Sequence, residues 1–118
     1  MNEGNNPLGN IFVSYRAIAT VAYQSALQSY GVVGLAAKNL AEGLAQVLVK
    51  DPTLGVDVHF ENNSIKIDLY VIVEYGTRIK SVAASVSDSV RYQVEREFGL
   101  PVSQVNIHVR GLRISNTD

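Results

Sequence analysis

His59, Asp68 and His108 are the residues of this sequence whose types could do chemistry together. An imidazole beside a carboxylate can move protons or, with further ligands, hold a metal ion. Both histidines lie in stretches where apolar and polar residues alternate, and both sit opposite the apolar set. The spacing speaks against a metal centre, because no His-x-x-x-His or similar ligand pair occurs. No serine or cysteine motif provides an activated nucleophile, and the chain has no cysteine at all. We therefore expect no catalytic residues, no metal, no cofactor and no enzyme. An enzymatic reading would need a deep cleft uniting His59, Asp68 and His108.

Two further motifs invite a chemical reading. Gly31-Val32-Val33-Gly34 has the glycines of a phosphate cradle, but not the Gly-Lys-Ser/Thr ending or the six-residue fingerprint that follows a strand. It is read as backbone geometry, a turn or tight crossing. Arg78 stands in the first turn of a helix, where a cation opposes the helix dipole. It is a candidate contact for a partner or a local carboxylate.

The elements that must position these residues follow from periodicity. Ile11 and Val13 share one face of a short strand, and Ser14 is an N-cap. A helix is predicted over 15–30, with Ile18, Val21 and Ala22 on its apolar stripe and Gly31 ending it. A second helix is predicted over 39–49 and is stopped by Asp51-Pro52. Strands 56–61 and 65–75 flank a turn at Glu61–Ser64. The main helix runs over 77–98, with Val82, Val86, Val90 and Val94 inward and Gly99 as its stop. The last strand covers 102–114. Its alternation changes phase at Gly111, the sign of a β-bulge.

The element order is β-α-(α)-β-β-α-β. This gives an α+β, two-layer sandwich: a sheet of about four strands, mixed or antiparallel, with helices on one face. The split βαββαβ arrangement is the first choice of topology. Residues 1–9 are read as a disordered lead-in, 10–114 as one domain and 115–118 as a frayed tail.

In that arrangement the face turned away from the helices collects His59, Asp68, Tyr70, Ile72, His108 and Arg110. The plain reading is a solvated sheet surface. The sharper one is a binding surface, because Tyr70 and Ile72 sit apolar among charges, where a partner could cover them. The candidate partner-binding residues are Tyr70, Ile72, His59, His108 and Arg78.

Composition narrows the classes of partner. In 118 residues, ten lysines and arginines balance eleven aspartates and glutamates, for a net charge of -1. That suits neither phosphate neutralisation nor a polybasic membrane anchor. Strand aromatics of the RNA-binding kind are missing apart from Tyr70, so no nucleic acid is expected. No run approaches the about 20 apolar residues of a membrane span, and the polar N-terminus lacks the regions of a signal peptide. The expectation is a cytoplasmic protein with no direct membrane insertion.

Four stretches carry a family resemblance: GNIFVSYRAIA from Gly9 to Ala19, YGVVGL from Tyr30 to Leu35, IDLYVIVEYG from Ile67 to Gly76 with Ile79 and Val82 after it, and GLPVSQVNIHVRG from Gly99 to Gly111. In this order and spacing the chain resembles the alkaline shock protein family, the envelope stress response proteins of Gram-positive bacteria. It looks like the short, stand-alone branch. The resemblance implies a non-enzymatic interaction or scaffold protein of cell-envelope homeostasis, with self-association and a protein partner, in some members a membrane-embedded one. It also implies a cytoplasmic location, peripheral to the membrane through that partner. The alternative is a small regulatory subunit that binds an enzyme or an acyl ligand of lipid metabolism; it would need a closed apolar pocket between helix and sheet.

Overall fold

A computed structural model describes residues 14–38 and 48–114. The expected strand over 11–13 and the proposed lead-in and tail lie outside the described residues. Helix α1 (Tyr15–Leu27) begins as its cap residue requires: the Ser14 hydroxyl accepts a hydrogen bond from the Ala17 amide at 3.1 Å. Its buried stripe holds Ile18, Ala19, Ala22, Tyr23, Ser25 and Ala26. The helix ends at Leu27 rather than near Tyr30, and Gln28, in a right-handed conformation, closes it. Gly31 is left-handed as expected (φ +89°), but it turns the chain into a strand instead of capping the helix.

That strand, β1 (Val32–Leu35), is a correction to the sequence reading, which had a turn there. Its valines favour extended backbone. The glycine before it and the one within it both meet close packing: a Cβ on Gly31 would lie 2.5 Å from Val82 Cγ2, and one on Gly34 would lie 2.9 Å from Leu48 Cδ2. The helix expected over 39–49 falls largely outside the described residues. Its last two positions are extended, with Leu48 bridging Ala36 and the Val49 amide donating to the Leu35 carbonyl at 2.8 Å. Asp51-Pro52 starts an element rather than stopping one. In α2 (Pro52–Gly55) the Asp51 carboxylate accepts from the Thr53 amide at 3.0 Å and from its hydroxyl at 2.8 Å, and proline suits the first helical position.

The hairpin of β2 (Val56–Glu61) and β3 (Ser64–Glu74) forms as the alternation predicts. Asn62 and Asn63 both take positive φ, as a two-residue hairpin turn of the favoured hand requires. Helix α3 (Ile79–Phe98) buries Val82, Val86, Val90 and Val94 and is closed by Gly99 at φ +70°. Strand β4 (Val102–Arg113) follows.

The sheet is built around β3. Strand β4 runs parallel along one edge, pairing Ile65 with Val102 through Glu74 with Arg113. The other edge is shared: β2 covers Ser64–Leu69 and β1 covers Val71–Val73, both antiparallel. The element order fits a split βαββαβ fold, but no strand separates β3 from β4; α3 is the crossover that a parallel pair needs. The ladder of β3 with β4 shifts register between Val71 and Ile72, whose partners are Val109 and Gly111, so the bulge read from the phase change is present. Both long helices pack on one face. Ile18, Ala22 and Ala26 from α1 and the four valines of α3 meet Ile65, Ile67, Leu69, Val71 and Val73 in one core. The architecture is a two-layer α+β sandwich.

Candidate functional site

The face of the sheet turned away from the helices is organised by register. Asp68 pairs with Asp57 on β2 and with Asn106 on β4; Tyr70 pairs with His108. His59, paired with Lys66, lies diagonal to Asp68. His59, Asp68 and His108, widely separated in the chain, therefore meet.

Asp68 is the centre of this cluster. His108 Nε2 lies 3.0 Å from Asp68 Oδ1, and Asn106 Nδ2 donates to the same oxygen at 3.0 Å. His59 Nε2 lies 3.7 Å from Asp68 Oδ2 and 3.4 Å from Asp57 Oδ2. Burial disfavours the charge on Asp68, whose side chain is only 14% exposed. The hydrogen bonds from His108 and Asn106, with the positive charges of His108 and Lys66, outweigh it and hold the carboxyl below its usual range. An ionised carboxylate only accepts, so Nε2 of His108 carries the shared proton. Lys38 Nζ closes the far side by donating to Asp57 Oδ1 at 3.3 Å.

A stack of rings lies beside this network. The Tyr70 and His108 rings are 4.6 Å apart at an interplanar angle of 12°, and the Arg110 guanidinium lies 4.9 Å above the Tyr70 ring. Burial, with the charges of Asp68 and Asp57, raises the Tyr70 phenol above its ordinary value, while Arg110 opposes the shift. Among the described residues no carboxylate pairs with Arg110.

The predicted residues divide here. Tyr70, His59 and His108 come together. Ile72 does not serve as an exposed contact, because it is 0% exposed. Its register partners are Gly34 on β1 and Gly111 on β4, and the Leu48 side chain packs over Gly34 on the same face. Small neighbours let cover approach, so the apolar residue among charges is already sheltered. Arg78 lies apart, in the cap position of α3, and makes no side-chain capping bond. Lys38 was not singled out from sequence, because it sits in a segment read as a turn. Arg110 was placed on this face but not among the candidate contacts; its position over the Tyr70 ring depends on the pairing of β4 with β3.

The arrangement can present a charged, aromatic surface of fixed geometry. The three residues that a catalytic reading would need are united, but on a sheet face and not in a deep cleft: the His59 and His108 side chains are 44% and 42% exposed. Among the described residues no group of three or more carboxylate or imidazole side chains is placed to hold a metal ion. Between helices and sheet, Ile18, Leu69, Val86 and Val90 are fully buried. A cavity of about 150 Å³ lies between α1 and β2, lined by Tyr15, Arg16 and Ala19 of the helix, Val56, Asp57 and Val58 of the strand, and Lys38 and Thr53. Pockets for drug-sized ligands run to about 300–1,000 Å³.

Comparison with known proteins gives this surface its context. The model of the alkaline shock protein 23 family, described as having a cell envelope-related function, matches residues 3–114. The chain belongs to that family. Among curated relatives of this alkaline shock family member, the uncharacterized protein YloU of Bacillus subtilis is 44% identical over 110 residues, covering 92% of each chain. The uncharacterized protein Spy1614 of Streptococcus pyogenes is 31% identical over 112 residues, covering 93% of each. Among solved structures, MamM-CTD superposes with a TM-score of 0.51 at 12% identity, over 83% of this chain and 98% of that one. At that identity the likeness concerns the fold alone. No helix among the described residues is long and apolar enough to cross a membrane.

Proposed function

We propose that this alkaline shock family member is a non-enzymatic contact protein of cell-envelope homeostasis, acting through protein–protein contacts made by the open sheet face around Tyr70. The observation that carries this reading is the stack of Arg110, Tyr70 and His108, held in place by Asp68 and Asn106. Tyrosine and arginine are the residues in which binding energy concentrates at interfaces, and pre-ordered side chains lose little entropy on contact. The family's envelope-related function supplies the setting. In this reading the protein works in the cytoplasm, is brought to the membrane by a partner and associates with itself. Residues shared by a contact surface of this kind need fixed geometry, not a perturbed nucleophile.

The test is affinity purification from a Gram-positive host under envelope stress, comparing the native chain with Tyr70→Ala and Arg110→Ser. The proposal expects a discrete envelope-associated partner that both substitutions lose while the circular dichroism spectrum is unchanged. Sedimentation velocity on the same proteins reads self-association. Retention of every partner by both folded variants would remove the open face from the account.

A further inference from the structure

Strand β4 is paired on one side only among the described residues, and its free side is not uniform. On β3 the backbone groups of Tyr70 and Glu74 turn toward β1, where Tyr70 accepts from Ala36 and Glu74 donates to Gly31. Ile65 and Tyr75 turn toward β4, donating to Pro101 and Arg113. Alternation then directs Ile67, Leu69 and Val71 at β4 as well. In a parallel ladder only one residue of each facing pair turns its groups inward. Their partners Val105, Ile107 and Val109 therefore turn both amide and carbonyl away from the sheet.

One outward position is closed by the protein itself. The Val102 amide donates to Glu95 Oε2 at 2.8 Å, and the Val102 carbonyl accepts from Arg91, both side chains coming from α3. Beyond it no described group bonds the outward side of Val105, Ile107 or Val109. Register shifts at Ile65/Lys66 and Val71/Ile72 bracket this stretch. Natural sheets guard open edges with charged side chains, proline or bulges. From Gln104 to Val109 there is no lysine, arginine, carboxylate or proline; Arg110 and the bulge close the stretch at its far end. The side chains toward the helix layer are the aliphatic Val105, Ile107 and Val109, the last 36% exposed.

From this edge we infer a strand-addition site on β4 for an extended, acidic segment of another protein, one that alternates apolar with carboxylate residues. Its apolar residues would lie beside Val105, Ile107 and Val109, and its carboxylates beside His108 and Arg110, whose guanidinium has no carboxylate partner among the described residues. A second copy of β4 fits poorly, because from Val102 to Arg113 it has no aspartate or glutamate to set against Arg110. The inference rests on the reading of this protein as a contact domain and specifies the chemistry of the partner.

The probe is a set of synthetic peptides as long as the open stretch, alternating valine with glutamate, with lysine or with serine, titrated onto the full chain by amide NMR. The expected result is that the glutamate series binds and shifts the amides of Val105, Ile107 and Val109, while the lysine series does not. Arg110→Glu should weaken binding about tenfold, the size of one charge-assisted contact. Val109→Pro removes an outward amide that makes no ladder bond and should weaken binding far more than Val109→Ala, which trims one side-chain contact and keeps the amide. N-methylation of alternate peptide amides tests the backbone pairing without altering the protein. Equal binding of all three series, binding indifferent to N-methylation, or self-association through β4 that excludes the peptides would each overturn the inference. Partner capture that survives Val109→Pro but fails with Tyr70→Ala would overturn the edge and leave the contact face standing.

Discussion

The two faces of β3 use the same backbone for different ends. Toward the helices, Ile65, Ile67, Leu69, Val71 and Val73 are all completely buried and interact through shape and apolar area alone. Toward the other side, Lys66, Asp68 and Tyr70 alternate with them, and Asp68 and Tyr70 take part in directional contacts: hydrogen bonds to Asp68, a ring stack, a cation over an aromatic face. The first face holds the fold together. The second spends little on stability, since partly exposed ion pairs and hydrogen bonds contribute about 1 kcal/mol or less each. A surface ordered beyond what stability needs is suited to recognition.

That contrast can be broken most forcefully from the core side. Val86→Asp places an unpaired charge opposite the helix-facing strands, and the expected loss is above about 4 kcal/mol in urea denaturation, enough to unfold the chain. A folded Val86→Asp protein would mean that the helix layer is not anchored on this face.

Ile72 sharpens the boundary, because it is buried on the side otherwise given to polar contacts. Ile72→Ala should cost about 2–4 kcal/mol, like other buried aliphatic truncations. Tyr70→Ala, two residues away, should cost about 1 kcal/mol, the scale of a lost ring pair. Similar small losses at both positions would place the contact surface further along the strand than we have drawn it.

The smallest effect concerns acid. Asp68 titrates below its unfolded value in the native state, so its contribution is present above the usual carboxylate range and is lost as pH falls through the depressed native value. Asp68→Asn should cost about 1 kcal/mol near neutrality and leave stability less sensitive to acidification below about pH 4. Parallel acid unfolding curves for the two proteins would contradict a carboxylate held by His108 and Asn106.

How much of this was legible in the sequence depended on the range over which each feature is encoded. The alternation of β3 and β4, the valine stripe of α3 and the bulge at Gly111 are local patterns, and all appear where the periodicity put them. Strand β1 escaped because only four residues form it and a glycine is among them; its pairing with Val71–Val73 is what makes it a strand. Ile72 was placed on the correct face, but a face is not an exposure. Its shelter comes from a close approach of Leu48 over Gly34, which no alternation contains. The meeting of His59, Asp68 and His108 is of the same kind. Each was visible as a polar position on a strand, but their convergence needs β2 antiparallel and β4 parallel to β3, in one register.

The central claim is that the face around Tyr70 is where this protein meets its partner. It is tested most directly by photo-crosslinking in cells with p-benzoylphenylalanine at position 70, which keeps an aromatic ring there, and with the same residue at Tyr92, exposed on α3. The account predicts a discrete adduct with an envelope-associated protein from position 70 and none from position 92. No adduct from position 70, or the same adducts from both, would contradict it.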